Sequence, residues 1–152
     1  MSTALKPIFE SLDGLFNSCD IDSSLLKEQV LNESWLKDYS NQRIVNSFLF
    51  NYIKIQDKLG ASLFRKLLFS LREVNNENLP MIDILNLLEK LEIIPSASMW
   101  DRLREIRNAI AHEYPLEIEE RLENIALALS GYDQLKDLYA NIKQYAQLKQ
   151  VM

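Results

Sequence analysis

Glycine and proline are scarce in this chain, at three and four residues in 152. Glycine loosens a helix by its conformational freedom, and proline breaks one through its fixed φ and missing N–H. Their scarcity leaves long stretches with nothing to interrupt a helix. Those stretches are rich in Leu, Ile, Lys, Glu and Asn, with apolar residues at three- and four-residue intervals, the repeat of a helix with one buried face. No segment shows strand alternation. The chain is expected to be all-α, an up-and-down bundle of about five or six helices over residues 1–152, in a single domain without internal repeat or linker.

Local punctuation suggests where the helices begin and end. Asp22, Ser23 and Ser24 form a candidate N-cap before "LLKEQVL", Ser40 one for the long basic helix, and Pro80 suits the first turn of "MIDILNLLEKL". Ser98 with Asp101 three residues later reads as a variant capping box, opening a helix that Pro115 ends. Residues 116–150 read as two helical pieces, or one bent one, around Ser130 and Gly131.

Composition removes several function classes. Hydrophobic residues at 47% and charged residues at 26% describe a chain able to fold around its own core. No uncharged run approaches the roughly 18 residues of a membrane span, and "MSTALKPIFESLDGLF" lacks the pattern of a secretory signal, so a cytoplasmic protein without membrane contact is expected. Cys19 and His112 are the only residues of their types, too few for a zinc site of soft ligands, and neither metal nor cofactor is expected. No phosphate-cradling glycine loop is present. The net charge of −5 argues against generic nucleic-acid binding. Yet "RIVNSFLFNYIKIQDKLGASLFRKLLFSLR", residues 43–72, carries Arg43, Lys54, Lys58, Arg65, Lys66 and Arg72 against Asp57 alone, equally a solvated face or an RNA track.

The sole histidine lies in "RNAIAHEYP", residues 107–115. At about 100° per residue, Met99, Leu103, Ile106 and Ile110 share one narrow arc, a core stripe. The neighbouring arc carries Trp100, Arg104, Arg107, Asn108, Ala111 and His112, a mixture that fits an interface or cleft better than a solvated face or a core. Arg107 and His112 differ by about 140° around the axis, so one helix alone makes a poor Arg–His site. Two copies crossing on a two-fold axis could bring Arg107 of one subunit to His112 of the other.

"IRNAIAHEY" resembles the R-x4-6-H motif of the HEPN family (higher eukaryotes and prokaryotes nucleotide-binding), and more closely the R-x4-H-x-Y form of HepT-type toxins paired with minimal nucleotidyltransferases. The likeness is sharp over residues 98–118 and elsewhere extends to length and helical character; Pro115 departs from the pattern. The resemblance implies an all-helical homodimer with its site in the dimer cleft, metal-independent cleavage of RNA, and a nucleotidyltransferase antitoxin that silences the toxin by adenylylating Tyr114.

Those residue types suit that chemistry. RNA carries its own nucleophile in the 2′-hydroxyl, so cleavage needs a group that exchanges a proton and a cation for the developing charge. Histidine titrates near neutrality and serves the first need, as His112; arginine's permanently charged fork serves the second, as Arg107. Asn108, one turn before His112, could bind phosphate or orient the imidazole. Arg104 joins this supporting set, although Asp101 and Glu105 lie close enough for ordinary surface pairs. Adenylate on Tyr114 would put phosphate beside Arg107 and block RNA. The rival reading is a non-catalytic HEPN module binding a nucleotide or a nucleotidyltransferase partner.

Overall fold

The computed structural model describes residues 5–112 and 117–152. Among them there are helices and no strands: α1 (Leu5–Lys27), the one-turn α2 (Glu33–Leu36), α3 (Tyr39–Lys58), a π-helical turn (Leu59–Leu63), α4 (Phe64–Ser70), α5 (Met81–Lys90), α6 (Ala97–Ala111) and α7 (Ile118–Leu148). The π turn joins α3 to α4 in one uninterrupted rod. With that rod counted once, the bundle has five substantial helices and α2, as expected from the sequence. No described helix is long and apolar enough to cross a membrane.

Side-chain pairings give the topology. On α7, Tyr132 reaches Asp20 and the Phe16 carbonyl of α1, and Tyr139 reaches Asp13 and the Phe9 carbonyl, so α1 and α7 run antiparallel. Asn46 meets Arg121 while Tyr52 faces Gly131, so α3 and α7 run parallel. Asp57 meets Arg107 while Gly60 faces Trp100, which makes α6 antiparallel to the rod. Long helices therefore alternate up and down around a core whose largest fully buried side chains include Tyr52, Tyr132, Phe48 and Phe64.

The α1/α7 seam is built from a unit used twice, seven residues apart. Phe9 and Asp13 on α1 face Tyr139 and Lys143 on α7, and Phe16 and Asp20 face Tyr132 and Lys136. In each unit the phenol donates to the carboxylate, the lysine pairs with that same carboxylate, and the lysine lies over the tyrosine ring. Seven residues return to nearly the same face of a helix, so the repeat fixes antiparallel register as a coiled-coil seam does.

Several helix ends differ from those expected. Asp22, Ser23 and Ser24 start nothing: α1 runs through them because Phe16, Cys19, Ser23 and Leu26 continue its buried stripe, and burial outweighs the local preference of cap-type residues. The rod is capped by Asp38, whose carboxylate accepts from Ser40 N–H at 2.8 Å, so Ser40 lies inside. Pro80 is the N-cap of α5 rather than part of its first turn. Ser96, not Ser98, opens α6, its Oγ accepting from Met99 N–H at 3.0 Å, and Asp101 pairs with Arg104. Residues 118–148 form one helix through Ser130 and Gly131.

Candidate functional site along the α3/α6 seam

Helix α6 is held by Trp100 and Leu103, both buried, with Met99, Ile106 and Ile110 packed partly buried against the core. Trp100 thus leaves the mixed arc to which its angle assigned it. Gly60 in the π turn is the reason: a Cβ there would lie 3.0 Å from Trp100 Cζ2, so the bare backbone lets the indole seat against the rod. The ring also packs on Phe64, with centroids 4.6 Å apart.

Arg107 lies one turn after Leu103 and faces the rod. Its Nε and Nη2 donate to the two carboxylate oxygens of Asp57 at 2.9 and 2.8 Å, the bidentate fork that is the stronger form of such a pair. Hydrogen bonding to Asp57 pushes the guanidinium pKa still higher, with burial opposing and the Asp57 charge assisting. The arginine side chain is 27% exposed and the aspartate 51%, so the pair is open to an incoming anion. Asp57 sits fifty residues away in sequence, and nothing local in the chain ties it to Arg107. Such a partner becomes visible once the rod and α6 are known to cross at that point.

Helix α6 stops at Ala111, and His112 is its C-cap with extended backbone at ψ 110°, one step beyond the last-turn position expected. Its side chain is exposed. Asn108 is exposed beside Arg107, and Arg104 pairs with Asp101 at 3.2 Å. Tyr114 and Pro115 lie outside the described residues. Glu117, Glu119 and Glu120 occupy the exposed start of α7, where negative charge suits the helix dipole.

Arg107 and His112 face successive hollows along a single seam. His112 lines a groove of about 850 Å³ with Lys37, Asn46, Phe50, Arg121 and Asn124 among its walls. Arg107 lines a hollow of about 540 Å³ with Gln56, Asp57 and Trp100. Arg107 and His112 thus line separate hollows. Five residues advance a helix by about 7.5 Å, so the two hollows are neighbours along the seam.

The groove's chemistry sets it apart from the rest of the molecule. His112, Lys37 and Arg121 line it, and no carboxylate stands among its described lining residues, in a chain of net charge −5. Asn46, Gln42 and Asn124 add amides, and Phe50, 58% exposed, presents an aromatic ring with Lys54 above it at 4.7 Å. Cations, amides and an exposed ring make a surface for an anionic chain with stacking groups. The other basic residues of the rod are partly committed: Arg65 donates to the carbonyls of Glu77 and Leu79, and Lys66 pairs with Glu77.

Comparison with protein-family models, with curated proteins and with solved structures returns no match.

Proposed function

We propose that this protein is a metal-independent endoribonuclease, the toxin of a toxin–antitoxin pair, working as a homodimer. The observation that carries the reading is the cationic groove under His112, without a carboxylate among its described lining residues, beside a hollow that contains Arg107. RNA would lie along the α3/α6 seam. His112 exchanges the proton of the 2′-hydroxyl or of the leaving oxygen, and Arg107 neutralises the charge gathering on phosphorus. Asp57 stands in for that phosphate in the free chain, since a bidentate carboxylate meets the same fork. Phosphate must displace it. Asn108 and Arg104 border the same path, and a second copy against this seam, with Ala111 and Phe50 at the contact, would close the groove. The Arg107–His112–Tyr114 spacing further supports a nucleotidyltransferase antitoxin that adds adenylate to Tyr114.

The test is cleavage of a mixed tRNA and mRNA pool in EDTA by wild type and by His112→Ala purified identically. Loss of a general acid or base is expected to lower the rate by about 10²-fold or more. An undiminished rate in His112→Ala would remove the assigned role. Incubation with the partner nucleotidyltransferase and ATP is expected to add one adenylate by mass and abolish cleavage. Wild type that neither cleaves nor accepts adenylate would leave a non-catalytic partner-binding module.

A further inference from the structure

The hollow beside the Asp57–Arg107 pair is lined by a residue whose buried amide is unanswered. Gln56 is 2% exposed, and neither its Nε2 nor its Oε1 has a hydrogen-bond partner among the described residues. Leaving a buried donor and acceptor both unmade is costly, and native proteins do so rarely. Gln56 belongs to the wall of the 540 Å³ hollow, whose apolar part is formed by Trp100, Gly60, Ala61 and Met81 and whose charged part is Arg65, Arg104 and Arg107 against the single carboxylate of Asp57. The π turn begins three residues after Gln56, and such turns recur at functional sites.

We propose that this hollow is a base-recognition subsite, taking one unstacked adenine-type nucleobase whose edge Gln56 reads. The inference rests on the RNA reading of Arg107 and deepens it by naming what the neighbouring hollow selects. The ligand class follows from what each wall can and cannot satisfy. A carboxylate would leave the amide oxygen unpaired, an apolar group would leave both amide atoms unpaired, and a cation would meet the arginines. A planar base edge with a donor beside an acceptor answers both amide atoms at once; uracil has such an edge too, and adenine is favoured by its larger ring face against the apolar wall and by the bidentate pair that glutamine makes with its N6 and N7. The ring's faces suit the apolar wall, and the attached phosphate falls to Arg104 and Arg107. The volume lies within the range of small-molecule sites, roughly 300–1,000 Å³.

Binding by the full chain, measured calorimetrically in EDTA, separates this inference from the cleavage reading. AMP, UMP and ribose 5-phosphate are titrated into wild type and Gln56→Leu. Wild type is expected to bind AMP about tenfold or more tightly than UMP or ribose 5-phosphate, and Gln56→Leu to lose that preference while keeping its affinity for ribose 5-phosphate. Gln56→Glu, which keeps the shape and removes the donor, is expected to lose it equally and serves if the leucine variant does not fold. Equal affinity for AMP and ribose 5-phosphate, no AMP binding, or an adenine preference that survives both substitutions would overturn the proposal. Adenine preference without RNA cleavage would leave Gln56 a base reader and remove the ribonuclease reading; cleavage with no adenine preference would do the reverse. Displacement of AMP by oligoadenylate would assign the base to RNA, and failure of that displacement to a free nucleotide.

Discussion

Arg72, Glu92 and Gln150 hold φ at 61°, 60° and 56°, a left-handed conformation that costs most side chains about 1–2 kcal/mol. Each stands just past a helix and closes it with the same pair of bonds. Glu73 N–H reaches Leu68 C=O, Ile93 N–H reaches Leu88 C=O, and Val151 N–H reaches Ala146 C=O, at 2.9, 2.9 and 3.1 Å. Helices commonly place glycine at this position, and here other residues bear the strain. That is why helix ends were the least readable part of the sequence: the residue that usually marks them is absent. The same scarcity of glycine that made the all-α class legible hid three of its stops. Glu92→Gly relieves the strain and is expected to raise stability by about 0.5–1 kcal/mol, read as a higher urea midpoint at unchanged slope. A lower midpoint would mean that the Glu92 side chain contributes more than its backbone costs.

Among the elements, α6 and α7 show how sequence pattern and packing divide the work. The stripe of Met99, Leu103, Ile106 and Ile110 was readable because burial on one face imposes its own period. The inward turn of Trp100 was not, because it depends on a glycine forty residues earlier in another helix. Gly131 behaves similarly. A Cβ there would come within 2.6 Å of Tyr52 Oη and 3.3 Å of Leu103 and Ile106 side-chain carbons, so it marks where α3, α6 and α7 meet, not where α7 bends. Gly14 is also helical, yet a Cβ there meets nothing within 4 Å. One substitution is thus expected to act with opposite signs. Gly14→Ala should stabilise by up to about 1 kcal/mol through helix propensity, and Gly131→Ala should destabilise by about 1–3 kcal/mol through overpacking. Thermal unfolding reads both, and a stabilised Gly131→Ala would show that the Tyr52 ring can move aside.

Across the whole molecule, the buried phenols tie stability to pH. Tyr132 and Tyr139 have their pKa values pushed up chiefly by burial and then by their bonds to Asp20 and Asp13; burial does the same for Tyr52, and pushes the Cys19 thiol up to about 12. In the unfolded chain a phenol ionises near its ordinary value of about 10. The fold holds only the neutral forms, so its stability is intact below about pH 8, where the unfolded thiol is still protonated, and falls as the unfolded chain begins to lose protons the native one keeps. Urea midpoints are expected to hold steady to about pH 8, to begin falling as the unfolded thiol ionises, and to drop more steeply beyond about pH 10. Tyr139→Phe, less stable at neutrality, should drop less steeply; an equal slope would exclude that phenol as a source. The paired units responsible were hidden in the sequence, since Asp13 and Tyr139 are 126 residues apart and nothing local joins them. The Arg–His spacing was legible, whereas its carboxylate partner and the amide beside it needed the crossing of two helices.

The π turn has a consequence for how this rod tolerates change in length. Phe64 N–H bonds to Leu59 C=O, so one more residue is wound into that turn than an α-helix would use. Removing a single residue from 59–63 would let the same Phe64–Leu59 bond close a regular α-helical turn, and everything beyond would keep nearly its present face. Phe64, Leu67 and Leu68 would stay on the buried face, and Arg65 would stay beside the carbonyls of Glu77 and Leu79. Gln56 and Asp57, upstream, would keep their places. The extra residue is therefore absorbed within the turn, where Gly60 meets Trp100, and a one-residue loss there should be tolerated by the rod where a loss elsewhere along it would turn every later side chain off its face.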